Sequence, residues 1–242
     1  MRRLGAQCAA EVTMTMRQGE SMLVALGIPV LLLVFFSEVK VLPTGSRPVD
    51  FLTPGILALA VMSSAMVSLG ISTGFERSYG VLKRLGSTPL TRTELVGAKA
   101  SAVVAIETIQ IAALVVVGLA LGWRPGGGVG GAAVVLGAVL AGTAAFAGIG
   151  LFLAGNLSGL TNLAGTNGLY LVLLLLGGMV VPLAKLPGPL QAIAQVLPAA
   201  ALSQLLHGAL SSGPTFRLGS GLILLAWAIV APVIAAATFS WE

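Results

Sequence analysis

The sequence predicts an all-α membrane protein of six transmembrane helices, and three observations carry that prediction. Hydrophobic residues fill 57% of the 242 positions and charged residues only 9%. Ordinary soluble domains are roughly 25% charged, so this chain lacks the polar surface needed to face water. Its apolar residues gather in long runs, and about 20 of them in helical form cross a hydrocarbon core about 30 Å thick. The few charges collect between the runs, a third of them in segment 76–99 alone. Six spans leave little length for a separate soluble domain, so residues 1–242 are read as one transmembrane domain.

The N-terminal segment is not expected to be a cleavable signal. Arg2 and Arg3 lead into a mixed stretch with Glu11, Arg17 and Glu20, where a signal would place its apolar core. Leu4, Cys8, Val12 and Met16 fall four residues apart, on one stripe of a helix. This predicts an interfacial helix over 1–21, with a frayed terminus as the plain alternative. The single cysteine, Cys8, excludes an internal disulfide, and no Cys/His cluster offers a metal site.

The six predicted spans are Met22–Ser37, Leu52–Phe75, Leu95–Leu121, Gly131–Gly155, Leu163–Leu183 and Leu218–Ser240. Pro29 and Pro232 predict kinks in the first and last. The fourth carries Ala138–Gly142 and Ala144–Gly148 at small-xxx-small spacing, which lets helix backbones approach closely, either within the chain or at a dimer seam. Lys and Arg favour the cytoplasmic side of short loops. Arg2, Arg3, Arg17, Arg77, Lys83, Arg84, Arg92 and Lys99 fall on one side; Lys40, Arg47, Arg124, Lys185 and Arg217 fall on the other. That balance places both termini and the loop after the second span in the cytoplasm.

That loop, 76–94, is the densest run of charge. Thr88 before Pro89 disfavours helix, and Thr91 or Thr93 can cap a new one ahead of the third span. Tyr79, Leu82 and Leu85 recur every three residues while Arg77, Lys83 and Arg84 point elsewhere. The spacing predicts a short amphipathic helix across the cytoplasmic mouth, either docked on a partner or gripping anionic lipid.

The ordered set Glu76-Arg77-x-x-Gly80-x-Leu82-x-x-Leu85-x-x-Thr88-Pro89, with Lys99 in the next helix, resembles the corresponding loop of type-two ABC exporter permeases, the membrane subunits of bacterial drug, lipid and polysaccharide exporters. The resemblance extends to the six spans, the interfacial helix and a proline-punctuated segment before the last span. It implies that Tyr79–Leu90, including Lys83 and Arg84, forms a coupling helix against a separate ABC ATP-binding subunit. It also implies that Glu76 and Arg77 mark the inner end of the second span. The chain has no GxxxxGK[ST] loop, and its run Gly126–Gly131 lacks the following Lys-Ser/Thr, so ATP and Mg are expected on the partner and no cofactor here. Two permease subunits, identical or related, are expected to enclose the path; membrane lipid is a further partner, and nucleic acid is not.

Between the fifth and sixth spans, Pro182, Pro187, Pro189, Pro198 and Pro214 break an apolar stretch that never reaches spanning length. Short helices joined by prolines there can dip into the outer leaflet and return, provided the broken backbone packs on protein or faces water. In the resembled family this segment, 184–217, is re-entrant and covers the outer mouth. Pro187, Pro198 and His207 are thus candidate outer-gate residues, although a histidine touching headgroups or water is the simpler reading. Glu107, mid-way along the third span with Gln110 one turn on, either lines the substrate path or locks helices as a protonated or hydrogen-bonded group.

No HExxH or GxSG motif supports an intramembrane enzyme. The expected function is a permease subunit exporting an amphipathic or lipid-like substrate from a bacterial inner membrane. The alternative is an ATP-independent channel or scaffold.

Overall fold

The computed structural model describes residue 13 and residues 19–39, 47–86, 92–211 and 216–239. The predicted interfacial helix lies almost wholly outside them, as do Thr88, Pro89 and Pro214. Every regular element among the described residues is helical. In order they are α1 (Gly19–Glu38), α2 (Pro48–Ser78), α3 (Val81–Gly86), α4 (Arg92–Ala120), α5 (Gly128–Asn156), α6 (Gly159–Leu176), α7 (Gly188–Gln195), α8 (Pro198–Leu210) and α9 (Leu218–Thr238), with a 3-10 turn at Leu183–Lys185.

Among the described residues, α2, most of α4, α5, α6 and α9 are long and apolar enough to cross a membrane. The pair α7–α8, bent by 84°, brings the number to six if it is one broken span. The first predicted span falls inside α1, whose described apolar run, Leu26–Glu38, is shorter. The predicted fifth span ran too far. α6 stops at Leu176 because Gly177 and Gly178 follow, and Gly178 turns the chain with φ +66. Leu183, the predicted end, instead opens the 3-10 turn.

α2 is the axis of the bundle. Its most apolar stretch is 72% buried, against 17% for that of α9, so α2 faces protein and α9 faces its surroundings. Leu52, Ile56, Leu59, Met62 and Met66 of α2 are fully buried, packed with Phe146 of α5 and Leu202 and Leu206 of α8. Midway, Ser63–Ser68 winds as a π-helix before α-helical winding resumes at Leu69. Such segments often mark functional sites.

Lipid offers no hydrophobic drive for helices to associate, so close backbone packing matters most. A Cβ on Gly70 would lie 3.0 Å from Gly150 Cα, and one on Gly150 only 2.6 Å from Met66 O. One on Gly148 would sit 2.4 Å from the Pro232 nitrogen of α9. Gly148 of the predicted small-residue spacing therefore serves packing inside this chain.

The alternating helices define two ends. One carries α3, the close of α2 and the α5–α6 turn; the other carries α7, α8 and the α4–α5 turn. At that second end, Gly126 N donates to Leu210 O (2.9 Å) and Trp227 Nε1 of α9 donates to Val196 O at the foot of α7 (2.9 Å). Ser203 Oγ donates to Gly178 O at 3.1 Å. The bent pair is thus held by protein groups, as broken backbone at membrane depth requires.

Candidate functional site

The last turn of α2 is a polar hub. Lys99 Nζ of α4 lies 2.8 Å from Glu76 Oε1, with hydrogen-bond geometry, and 2.6 Å from Oε2. The lysine side chain is only 6% exposed and the glutamate 28%, so the ammonium is the more deeply committed partner. Arg77 Nη1 donates to Ala154 O and Leu157 O, both at 3.2 Å. These carbonyls close α5, where helix ends leave unsatisfied acceptors and partial negative charge. Ser78 Oγ accepts from Gly159 N, the first residue of α6, at 3.1 Å and donates to Gly74 O at 2.9 Å. Just above, buried Asn162 of α6 donates from Nδ2 to Gly70 O (2.8 Å) and accepts from Thr166 Oγ1 (3.1 Å). Gly74 leaves room for it, since a Cβ there would lie 2.2 Å from Asn162 Nδ2. Three consecutive side chains, Glu76, Arg77 and Ser78, therefore bind α2 to α4, α5 and α6.

The chain leaves this hub through Tyr79 and Gly80. Gly80 has φ +69, the left-handed turn that a side chain disfavours, and α3 follows at once, Arg84 N donating to Gly80 O at 3.2 Å. Leu82 is buried at 1% exposure while Lys83 and Arg84 are exposed, as an amphipathic helix requires. The predicted stripe needs one correction. Tyr79 precedes α3 instead of joining it, is 72% exposed, and stacks on Phe75 with ring centroids 6.0 Å apart. The side chain of Leu85 lies outside the described residues.

Inside the bundle, Glu107 and Gln110 are both buried, at 3% and 1% exposure. Glu107 Oε2 lies 2.6 Å from Thr143 Oγ1 of α5, and Ser64 Oγ, in the π segment of α2, donates to Gln110 Oε1. A polar strip thus crosses α2, α4 and α5. Ser64, Thr143, Ser78 and Asn162 escaped the sequence reading; the only signal for them was a polar residue set in an otherwise apolar or small-residue run. Among the described residues, no group of three His, Cys, Asp or Glu side chains forms a metal site.

At the other end, Pro187 precedes α7 and Pro198 starts α8, where a missing N–H costs nothing. His207 is held by protein. Its Nε2 lies 2.9 Å from Phe51 O of α2, its Nδ1 2.7 Å from Ser203 O, and its ring rests on Phe51 at 4.5 Å between centroids.

Comparison with known protein families matches residues 4–210 to the ABC-2 type transporter. The chain belongs to this family. The ABC-2 match ends at Leu210, the close of α8, and so takes in the hub, α3 and the bent pair. A search of curated proteins gives no match. As an ABC-2 membrane domain the chain is a multi-pass transport subunit that is not itself catalytic, and the family implies an ABC ATP-binding partner.

Proposed function

We propose that the chain is the permease subunit of an ATP-driven exporter of an amphipathic or lipid-like substrate. α3, with Tyr79, Gly80, Leu82, Lys83, Arg84, Leu85, Thr88 and Pro89, is its coupling element against a separate ATPase that holds ATP and Mg. The observation that carries this reading is the wiring of Glu76, Arg77 and Ser78. A push on α3 crosses only Tyr79 and Gly80 before it reaches these three contacts at the end of α2, and passes to α4, α5 and α6 together. Two such subunits pair around the path, in a bacterial inner membrane, with both termini and α3 in the cytoplasm.

Closure of the ATPase pair shifts access from one side to the other, and only through differential affinity for the two states. Glu107 and Gln110, buried here, line the path in states where α4 has parted from α2 and α5. Pro187, Pro198 and His207 form the outer gate, the prolines breaking the helix and the histidine fastening α8 to α2.

The test is a mild-detergent pulldown of the tagged chain from its native host with mass spectrometry of what accompanies it. An ATPase bearing a phosphate loop, lost when 81–86 is scrambled while the chain still inserts, supports the coupling role. Repeated recovery without any ATPase sinks it and leaves a stand-alone channel or scaffold.

A further inference from the structure

We propose that Glu107 is a proton-binding site in the membrane interior, a neutral carboxylic acid whose proton fastens α4 to α5. Hydrogen counting points to the proton. Thr143 Oγ1 lies 2.6 Å from Glu107 Oε2 and 2.8 Å from Val139 O. A hydroxyl carries one hydrogen, and a carboxylate and a backbone carbonyl only accept. Thr143 either shares its one hydrogen between the two acceptors, or a second hydrogen completes two full bonds among the three oxygens, the arrangement we assign. The second hydrogen belongs on Glu107 Oε2, which donates to Thr143 Oγ1. Thr143 then donates to Val139 O, the bond back to the preceding turn that threonine commonly makes in a helix.

The surroundings agree. Glu107 is 3% exposed, and its other oxygen, Oε1, is buried without a hydrogen-bond partner among the described residues. A neutral carbonyl oxygen tolerates that far better than an anionic one. No cation faces it. α5 has no charged residue, and those of α2 are Asp50 near one end and Glu76 and Arg77 at the other. On α1 the described charged side chain is Glu38, at its tip. On α4 the nearest is Lys99, about 12 Å along the helix and paired with Glu76.

The fastening is reversible. If α4 and α5 part and water enters, the O–H bond of Glu107 breaks, its proton passes to water, and a carboxylate remains on α4. Closing takes the proton back. Proton uptake and release thereby track the separation of α4 from α5, a property of this chain that needs no partner.

Infrared spectroscopy of the full-length chain in lipid vesicles tests this. At neutral pH a carboxylic-acid C=O band is expected, abolished by Glu107→Gln, shifted by Thr143→Val and kept near its original position by Thr143→Ser. Absence of an acid band at neutral pH overturns the proposal, because the carboxyl is then ionised. A band unmoved by Thr143→Val overturns it equally, because the acid proton is then not donated to Thr143. If Glu107→Gln fails to insert, the two threonine variants decide alone. With no ATPase in the sample, neither result bears on the coupling role of α3.

Discussion

Lys99 and Glu76 form one pair, yet their substitutions are not equivalent. Removing Glu76 takes the carboxylate away from an ammonium that is 6% exposed, whereas removing Lys99 leaves a carboxylate already 28% exposed and able to meet water. Loss of one partner from a buried pair costs about 3–5 kcal/mol, and a partly hydrated survivor costs less. Glu76→Ala is therefore expected to lower the melting temperature of the detergent-solubilised chain more than Lys99→Ala; the reverse order would mean that the glutamate is the buried partner. Gly80 isolates a backbone effect. A Cβ there meets nothing within 4 Å, so Gly80→Ala penalises only the φ of +69. The left-handed conformation costs a side-chain-bearing residue about 1–2 kcal/mol. The expected outcome is full insertion with reduced ATP-dependent transport in vesicles carrying the ATPase, while unchanged transport would show that the turn does not transmit motion.

Elements add two constraints that no single contact expresses. The π segment Ser63–Ser68 holds an extra residue relative to α-helical winding, and it lies between the buried upper half of α2 and the hub. Such a turn absorbs its extra residue with little rotation beyond it, so deleting Ala65 leaves the hub facing its partners. Deleting Ile71 from the regular winding that follows instead turns everything beyond it by about 100°. Glu76, Arg77 and Ser78 then face away from α4, α5 and α6. The Ile71 deletion is expected to insert yet lose transport, and a disulfide probe between Cys residues placed at 76 and 99 in a Cys8→Ser background should no longer form. The second constraint is the α5–α9 seam, where Gly148 meets the Pro232 nitrogen. Gly148→Leu is expected to cost at least the 1–3 kcal/mol typical of overpacking and to loosen α9, read as faster proteolysis near the C-terminus.

For the whole molecule, composition and run length made the all-helical membrane class legible, because the bilayer constrains both. Five of the predicted spans meet helices that start and end within a few residues of expectation. The exception, α6, shows why boundaries are harder: Leu173 to Leu176 and Leu183 look alike in hydropathy, and only the turn at Gly177–Gly178 separates them. Loop charges exposed the hub, since Glu76, Arg77 and Lys99 stand out in an apolar chain. Their partners stayed hidden, because Ala154 O and Leu157 O are backbone atoms and Asn162 lies 92 residues from Gly70. Nor does any residue type announce a π turn. Orientation remains a property of the molecule as a whole, and it has a direct readout. With Cys8→Ser, Lys83→Cys is expected to react with an impermeant maleimide only in inverted vesicles, and Arg124→Cys only in right-side-out ones. The opposite pattern would reverse the assignment of α3 to the cytoplasm.

Trp227 holds a consequence for how this protein is made. Its indole fastens the foot of α7, yet α9 leaves the ribosome only after α7 and α8. Until it arrives, Val196 O lacks that donor and Gly148 faces an empty groove where Pro232 will lie. The bent pair is therefore completed only once α9 has been made. A nascent chain arrested before α9 presents the cell with an unfinished mouth, and membrane quality control has a structural reason to remove it.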